Sequence, residues 1–522
     1  MSLKIEVLDG FDCIGGNKVL VLDDSNEGFL LDFGLNFSKW SLYFEEYLKP
    51  RTGKVLHDLL KLGLLPKLNI YRKDLEPPDF ERNERINFLF LSHGHEDHTG
   101  LNGLISETIP ILTTSETFAI LSTNAEIRQE VWNELYLRKR QRPQEDDIYR
   151  FDVLKTERKM FIRRKMCVQN YLDAPCALDP NYFIQLSLKE LWKNELYVLP
   201  IYHSVIGAAG LVAKVDDWWV AYTGDFRTGP ETIEEETFWR ENLGEKRLGL
   251  SKRTDDFFQF LKGKHPLLLI TEGTTVSRDN GSHGNEKNVY ENALELVQST
   301  NKLVIVDFSV KHLERLMSFL KIAMCTNRSL VLMPKDYAYL VKMGEVEPIW
   351  RLSDQEMKHI RVFHTAKSSF VGLEKEVVQQ AKINGILLLP QSINSRPSDY
   401  MISAGYWDFH NILDLDEEVL RESIYIHSSS EAYTEEQQMD FLRFANWTKR
   451  FSIKTYGFEI TENNQVVFSK QFHASGHVEA KKLEQIINEL NPDLILPVHT
   501  LDKEWFIKRW GKRVILDSIF WL

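Results

Sequence analysis

The sequence of 522 residues has few cysteines, no long apolar segment and no excess of positive charge. Its four cysteines include no CxxC pair, so neither a disulfide framework nor a cysteine-based zinc site is expected. The longest apolar runs, such as Leu267–Ile270, are far shorter than the roughly 18 residues that a membrane-spanning helix needs. The first residues carry no secretory signal pattern. These absences predict a cytoplasmic protein that does not span a membrane.

The overall charge balance argues against a surface that coats nucleic acid along its whole length. Lys and Arg number 64 and Asp and Glu number 76, which gives a net charge of −12. One segment departs from this balance, because residues 138–165 contain eleven Lys or Arg and five Asp or Glu. We interpret residues 123–166 as a basic helical insertion. Both a solvated surface helix and a contact surface for a phosphate backbone are consistent with that composition.

Hydrophobic patterning predicts an α/β fold. The first part of the chain contains short apolar runs rich in branched and aromatic residues, such as Lys18–Leu22 and Trp218–Tyr222, which are typical of strands. From about residue 266, apolar strands alternate with amphipathic helical patterns, for example Leu303–Phe308 before the helix expected over 310–323. That alternation predicts βαβ units and a parallel sheet in the second part of the chain.

The strongest chemical signal is a group of four potential metal ligands directly after an apolar run. The segment reads Ser92-His93-Gly94-His95-Glu96-Asp97-His98. In an extended chain alternate side chains share a face, so His93, His95 and Asp97 are expected to point the same way. A turn that begins at Asp97 would bring His98 to the same cavity. Imidazole together with carboxylate suits Zn²⁺, and less often Mn²⁺ or Fe.

Three further residues stand where additional metal ligands would be needed. His203 follows the apolar run Leu196–Ile201, Asp225 follows Trp218–Tyr222, and His499 ends the run that begins at Leu494. Each comes at the far end of a predicted strand, where loops converge into a site. We therefore predict that all three join the His93–His98 cluster.

In this order of residues the sequence resembles the metallo-β-lactamase fold hydrolases, whose ligands follow the pattern HxHxDH, His, Gly-Asp, His. The resemblance implies two bound Zn²⁺ ions, with Mn²⁺ as the alternative, in an αββα sandwich. It assigns one ion to His93, His95 and His203, the other to Asp97, His98 and His499, and a bridging position to Asp225. Asp32 matches the family's early acidic residue, which would orient the ligands without binding metal itself.

Asp225 and His499 are separated by a long interval. In this respect the sequence resembles the β-CASP subgroup, in which an α/β domain is inserted into the lactamase-like domain. That resemblance implies a discontinuous metallo-β-lactamase domain over residues 1–270 and 451–522, with a β-CASP domain over 271–450. Glu272 corresponds to the subgroup's acidic motif. His477, in the segment His473-Ala474-Ser475-Gly476-His477, corresponds to a further motif that ordinary lactamases do not carry.

The resemblance also implies roles in phosphodiester cleavage. Asp97, Glu272 and His477 would be catalytic, with His477 kept basic by Glu272 and donating a proton or binding phosphate. His473 and Ser475 would contact phosphate. Ser428 and Ser429 follow the predicted strand Ile424–His427 and could offer hydroxyl and backbone N–H groups to an anion. An ordinary N-terminal cap of the helix expected over 434–449 is an equal alternative for these serines.

The function implied is that of a ribonuclease similar to RNase J, in which a hydroxide shared by two metal ions attacks phosphorus. RNA is the expected partner, with DNA as a second substrate, and endonuclease and exonuclease modes both stay open, as does homo-oligomerisation. Three alternatives stay open. A DNA nuclease of the repair-type β-CASP group would use the same chemistry. The others are a small-molecule hydrolase of the metallo-β-lactamase fold and, from another class, a non-catalytic scaffold in RNA processing.

Overall fold

The computed structural model divides into two compact units. Unit 1 comprises Met1–Thr228, Lys252–Asn280 and His477–Leu522, and unit 2 comprises Gly229–Ser251 and Gly281–Gly476. No helix among the described residues is long and apolar enough to cross a membrane. The described residues are 3–45, 47–128, 130–141, 152–153, 161–170, 178–277, 284–346, 350–366, 372–432 and 435–522.

Unit 1 contains an eight-stranded sheet, in the order β11-β10-β5-β4-β3-β2-β1-β26, and a five-stranded sheet, in the order β12-β13-β14-β15-β25. Numbered along the chain, its strands are β1 (Lys4–Asp9), β2 (Lys18–Leu22), β3 (Glu27–Leu31), β4 (Arg85–Phe90), β5 (Ile111–Thr114), β6 (Leu137–Arg138), β7 (Arg140–Gln141), β8 (Asp152–Val153), β9 (Phe161–Ile162), β10 (Arg164–Gln169), β11 (Phe183–Gln185), β12 (Leu196–Pro200), β13 (Ala209–Val215), β14 (Trp218–Tyr222), β15 (Leu267–Glu272), β25 (Leu494–Val498) and β26 (Ile519–Trp521).

The two sheets of unit 1 pack face to face, and helices cover their outer faces. Side chains alternate along each strand, so Phe29 and Val220 enter the core between the sheets, whereas Leu30 and Ala221 enter the outer cores. Helices α2 and α4 pack on the larger sheet, and α8, α17 and α18 on the smaller one. The helices are α1 (Phe37–Trp40), α2 (Val55–Lys61), α3 (Glu96–Thr99), α4 (Ser115–Ile127), α5 (Leu188–Leu191), α8 (Arg253–Leu261), α17 (Ala480–Leu490) and α18 (Lys503–Trp510).

Unit 2 is built on a seven-stranded sheet in the order β19-β18-β17-β20-β16-β21-β22, in which every strand pair is parallel. The parallel sheet expected from the alternating strands and helices is confirmed. A hairpin of β23 and β24 lies beside it. The strands are β16 (Val304–Asp307), β17 (Ser329–Leu332), β18 (Ile360–Phe363), β19 (Leu387–Leu388), β20 (Tyr400–Ser403), β21 (Ile424–His427), β22 (Lys454–Tyr456), β23 (Phe458–Ile460) and β24 (Val466–Phe468).

The boundaries of the units differ from those expected over 271–450. The later boundary falls at 476/477, because the hairpin of β23 and β24 packs against α16, and residues 229–251 also belong to unit 2. In that early segment Phe238 of α6 packs against Tyr290 of α9, with ring centroids 5.1 Å apart. The helices of unit 2 are α6 (Ile233–Asn242), α7 (Glu245–Ser251), α9 (Glu286–Gln298), α10 (Leu313–Cys325), α11 (Pro334–Val346), α12 (Asp354–Met357), α13 (Gly372–Ile383), α14 (Pro390–Ser395), α15 (Glu417–Leu420) and α16 (Glu435–Arg450).

The segment expected to form a basic helical insertion over 123–166 is different where it is described. After the end of α4 it contains one 3-10 turn and the short strands β6 to β10. Arg140 and Arg164 are buried: Arg140 pairs with Glu134 at 2.7 Å, and Arg164 donates to the carbonyl oxygens of Asn102 and Ile105. These two arginines hold the fold together, so neither is available to bind phosphate. Residues 142–151 and 154–160 lie outside the described residues, and phosphate contact there stays a prediction.

Candidate metal centre

The predicted ligands of unit 1 lie at the carboxyl ends of strands from both sheets. His93 and His95 follow β4, His203 follows β12, Asp225 follows β14, and His499 follows β25. Asp97 and His98 belong to the short helix α3, so the extended segment ends at His95 and the turn begins one residue earlier than expected. The loops that follow these strands converge from both sheets, which is why residues hundreds of positions apart meet here.

Three imidazole rings converge in the first group of donors. Nε2 of His93 lies 3.1 Å from Nδ1 of His95, and Nε2 of His203 lies 3.4 Å from the same Nδ1 atom. His93 and His203 are buried, and His95 is partly exposed. The nitrogen atoms of this group lie within 4.8 Å of one another, which is close enough for one cation to contact all three.

The second group combines carboxylates and imidazoles around Asp225. Oδ2 of Asp97 lies 3.2 Å from Nε2 of His499, and Oδ2 of Asp225 lies 3.1 Å from Nε2 of His98. The same Asp225 oxygen is 3.6 Å from Nε2 of His499 and 3.9 Å from Nε2 of His93. Asp225 is therefore the residue that touches both groups.

Burial and neighbouring rings keep two members of the first group, His93 and His203, neutral. Burial lowers the pKa of His93 well below its ordinary value, and the neighbouring rings of His98, His203 and His95 lower it further. Burial likewise lowers the pKa of His203, with further contributions from His95 and His477. A neutral imidazole offers a lone pair, which is the form that binds a metal ion.

The second group is organised by negative charge. Burial opposes ionisation of Asp97, but His98 and His499 outweigh it and lower the pKa to about 2. The pKa of Asp225 is likewise held well below its ordinary value, despite burial, by His499 and His98. Conversely, the carboxylates of Asp225, Asp97 and Asp32 raise the pKa of the buried His98 well above its ordinary value. This pocket therefore favours a positive charge beside its carboxylates.

Asp32 fixes the orientation of His98 from behind. Its Oδ2 atom lies 2.6 Å from Nδ1 of His98 and accepts hydrogen bonds from the hydroxyls of Ser92 and Tyr222, at 2.8 and 2.6 Å. Its Oδ1 atom accepts from the backbone N–H of Ser92 at 2.7 Å. Asp32 has a left-handed φ of 57°, a conformation that strains most residues and that Asp tolerates better than most. The sequence indicated Asp32, but not Ser92 or Tyr222.

Glu272 connects two parts of the site. Its Oε1 atom accepts from the backbone N–H of Phe226 at 2.7 Å, and its Oε2 atom lies 2.9 Å from Nδ1 of His477. The hydroxyl of Thr274 donates to Oε2 as well and lies 2.9 Å from Nδ1 of His499. Thr274 is buried and carries no sequence signal of its own, because its role depends on the pairing of β15 with β25.

Two glycines allow the backbone to approach Asp97 closely. A Cβ atom at Gly34 would lie 1.6 Å from the carbonyl oxygen of Asp97 and 2.6 Å from the backbone nitrogen of His98. A Cβ atom at Gly15, where φ is +81°, would lie 2.9 Å from Oδ2 of Asp97. A larger side chain at Gly34 would displace the backbone of Asp97, and one at Gly15 would displace its carboxylate, so both glycines determine where Asp97 lies.

The four residues predicted to bind phosphate all belong to unit 2, and Ser428 is already engaged there. Its hydroxyl donates to the carbonyl of Phe472 at 2.6 Å and accepts from Arg315 at 2.6 Å, so it is a structural contact and not a free phosphate donor. Ser429 is partly buried, like Ser475. Helix α16 begins at Glu435, so Ser428 and Ser429 are not its N-terminal caps either.

His473 is held in a neutral form in unit 2. Burial lowers its pKa to about 3, and the positive charge of Arg315 contributes to the shift. Its buried Nδ1 atom has no hydrogen-bond partner among the described residues. A neutral ring can accept a hydrogen bond but adds no positive charge for a phosphate, so contact with phosphate stays a prediction.

Comparison with known proteins gives the fold and no function. No protein-family model matches this chain, and no curated protein matches it. The structure is similar to the crystal structure of a protein of unknown function from Enterococcus faecalis V583, with a TM-score of 0.64 and 17% sequence identity over 99% of this chain and 98% of that chain. At this identity the likeness shows that the two chains share a fold.

The residues present fit a pair of metal ions. The donor atoms are imidazole nitrogens and carboxylate oxygens, the ligand types that Zn²⁺ and Mn²⁺ accept. Oδ1 of Asp225 is buried and has no hydrogen-bond partner among the described residues. An unpaired buried carboxylate oxygen is costly unless a cation or a donor satisfies it. Because Oδ2 of the same carboxylate approaches both groups, Asp225 is suited to act as a bridging ligand.

Proposed function

We propose that this chain is a metal-dependent phosphodiesterase that cleaves RNA, with the metallo-β-lactamase fold and a β-CASP insertion. The observation on which this proposal rests is the pair of donor groups that Asp225 joins. In the proposal, two Zn²⁺ ions, or Mn²⁺ in their place, bind there. His93, His95 and His203 would hold one ion, Asp97, His98 and His499 would hold the other, and Asp225 would contribute to both.

The architecture supports this assignment. Unit 1 has two facing sheets covered by outer helices, and the donor atoms gather at strand ends, as expected for an αββα sandwich. Unit 2 carries a parallel sheet, as expected for an inserted β-CASP domain. A small-molecule hydrolase of the same fold would leave both unit 2 and the Glu272–His477 pair unexplained.

Bound metal ions would supply an activated water and neutralise charge on the phosphoryl group. The chain's own residues then have defined tasks. Asp32 and Thr274 fix the rings of His98 and His499, so that their Nε2 atoms face the pocket. Asp97 and His477 retain 20% and 21% of their side-chain surface exposed, so these two residues border the opening through which a substrate would enter.

His477 is the proposed proton donor to the leaving oxygen. Its Nδ1 atom lies 2.9 Å from Oε2 of Glu272, and its Nε2 atom would carry the proton toward a substrate. The carboxylate of Glu272 stabilises the protonated ring and is itself anchored by Phe226 and Thr274. A positioned acid of this kind contributes about 10²–10⁴-fold to a reaction rate.

Metal analysis and cleavage assays on the same samples test the proposal. The wild type should bind about two zinc ions per chain and cleave end-labelled single-stranded RNA. Asp97→Ala should lose zinc and cleavage together, whereas His477→Ala should keep zinc and lose about 10²–10⁴-fold in rate. His57→Ala, at an exposed position of α2, is the control and should change neither.

Each alternative predicts a different result. Undiminished cleavage by Asp97→Ala would refute the metal mechanism. Preferential cleavage of a matched DNA would favour the repair-type nuclease, and zinc binding without cleavage of either nucleic acid would favour a small-molecule hydrolase or a scaffold. RNAs that begin with 5′-phosphate, 5′-triphosphate or 5′-hydroxyl distinguish exonuclease from endonuclease action through release of mononucleotides or internal fragments.

A further inference from the structure

Unit 2 contains a cavity of about 340 Å³ at the carboxyl ends of β16, β20 and β21. The chain runs outward from β16 to β19, returns through β20, and then passes to β21 on the other side of β16. Ligands of open parallel sheets bind where the winding direction reverses in this way, in the crevice outside the strand ends. The volume is sufficient for a small organic molecule.

The walls of this cavity are strongly acidic. Five carboxylates line it, and Lys335 is the one lysine or arginine among its described lining residues. Three of these carboxylates are already engaged. Asp408 is paired with Lys335 at 2.7 Å and Asp440 with Arg443 at 2.8 Å. Asp307 accepts from Tyr425 at 2.8 Å and lies 3.0 Å from His427. The five carboxylates belong to Asp307, Asp336, Asp408, Glu431 and Asp440.

Asp336 is the cavity carboxylate whose surroundings offer it no hydrogen bond among the described residues. It stands in the first turn of α11 and lines the cavity, yet its side chain makes no hydrogen bond or ion pair within the part of the chain that the structure describes. Burial raises the pKa of Asp336 to about 7. The negative charges of Asp408 and Asp307 add to the shift, and the positive charges of Lys335 and Lys311 oppose it. A cationic ligand in the cavity would satisfy this carboxylate and restore its charge.

Aromatic rings form another part of the cavity wall. Trp407 is 64% exposed although it is the largest side chain type, and Tyr406 stands edge-on to it with ring centroids 5.0 Å apart. Phe441 of α16 also lines the cavity. Aromatic faces attract ammonium groups and pack against methylene chains.

The arrangement does not suit an anion or a single metal ion. A phosphate in this cavity would be repelled by the lining carboxylates, and Lys335 is the one lysine or arginine among the described lining residues that could attract it. The carboxylates are also spread over several elements, and they form none of the tight donor groups found among the described residues. Separated negative charges along an aromatic wall match a chain of several ammonium groups joined by methylenes.

We propose that this cavity binds a linear aliphatic polyamine, with its ammonium groups on Asp336 and its neighbouring carboxylates and its methylenes against Trp407. The proposal does not depend on the chemistry of the candidate metal centre, because every residue involved belongs to unit 2. It assigns a ligand site to the insertion itself.

Isothermal titration of the full chain with spermidine tests this proposal. Wild type should bind one spermidine per chain, and Asp336→Asn should weaken binding at least tenfold, because one charge-assisted hydrogen bond is lost. Trp407→Ala, at an exposed side chain that the fold can spare, should weaken it several-fold. The matched control is Asp414→Asn, an exposed aspartate outside the cavity with the same change of charge, which should bind like the wild type.

Three outcomes would overturn the proposal. Equal weakening in Asp336→Asn and Asp414→Asn would mean that spermidine binds the acidic surface as a whole. Absence of saturable binding at moderate salt would remove the site. Tight binding of adenosine monophosphate without binding of spermidine would assign the cavity to a nucleotide, provided that Trp407→Ala weakens that binding. Thermal unfolding shows whether each variant is folded. If Asp336→Asn is not folded, spermidine binding by Trp407→Ala tests the proposal in its place.

Discussion

Nδ1 of His499 lies 2.9 Å from the hydroxyl of Thr274, whose proton is donated to Oε2 of Glu272. A hydroxyl has one proton to give, so Nδ1 of His499 must be the donor in its contact with Thr274. In the neutral ring Nε2 of His499 is then the unprotonated nitrogen, and it lies 3.2 Å from Oδ2 of Asp97. Thr274 therefore selects the tautomer in which His499 can bind a cation.

Replacing Thr274 with Val removes this hydroxyl at nearly constant volume. We expect zinc affinity to fall by about 10–100-fold, which is the usual effect of losing a group that orients a metal-binding histidine. Competition with a chelator of known affinity measures the change. Thr123→Val removes another buried threonine hydroxyl, in α4, and should leave zinc affinity unaltered. Equal affinities for Thr274→Val and wild type would rule out the orienting role.

Asp32→Asn should destabilise the protein even without metal. An amide accepts through one oxygen only, so it cannot satisfy Ser92, Tyr222 and His98 as the carboxylate does. Asn tolerates the left-handed backbone at this position, so the effect isolates the side chain. We expect the free energy of unfolding to fall by about 3 kcal/mol, measured with urea in the presence of a chelator. Asp179→Asn, at an exposed position, should stay within about 0.5 kcal/mol of wild type.

The positions of the candidate ligands were predictable because each follows an apolar strand pattern. His93 stands just beyond a strand of the larger sheet, and Asp225 and His499 stand just beyond strands of the smaller sheet. Loops that follow strand ends are where functional residues usually converge. The parallel sheet of unit 2 was predictable for a similar reason, since its alternating pattern is continuous along the chain. Local sequence carries both signals.

The supporting contacts were not predictable, because they depend on which strands become neighbours. Thr274 reaches His499 only through the pairing of β15 with β25, across 225 positions. Likewise, the place of residues 229–251 in unit 2 depends on the packing of Phe238 on Tyr290, and Ser428 is engaged by Arg315 from α10. None of these partners is marked by spacing or composition.

A buried ion pair should contribute to stability with a defined pH dependence. Nζ of Lys18 lies 3.2 Å from Oδ2 of Asp9, and Nζ of Lys39 lies 2.8 Å from Oδ1. Burial opposes ionisation of Asp9, but these two positive charges hold its pKa below the ordinary value of 3.8. The contribution of Asp9 is therefore complete above pH 3.8 and is lost as the pH falls through the lower folded value.

Asp9→Asn should lower the free energy of unfolding at pH 7 by about 3–5 kcal/mol, because the fully buried Lys18 loses its counter-charge. The double variant Asp9→Asn/Lys18→Met should recover most of that loss, since it leaves no buried charge unpaired. Urea unfolding at pH 7 and at pH 3 measures both effects. A single variant as stable as wild type at pH 7 would contradict the prediction.

Gly34→Ala tests how closely the backbone must approach Asp97. The added methyl group would lie 1.6 Å from the carbonyl oxygen of Asp97, so the helix α3 that carries Asp97 and His98 must shift. We expect a loss of about 3 kcal/mol or more in unfolding free energy together with reduced zinc content. Gly249→Ala is the matched control, because a methyl group at this helical position meets no atom within 4 Å and should be neutral or stabilising by up to about 1 kcal/mol. If Gly34→Ala retained both stability and zinc, the backbone around Asp97 would have to be far more adaptable than its packing indicates.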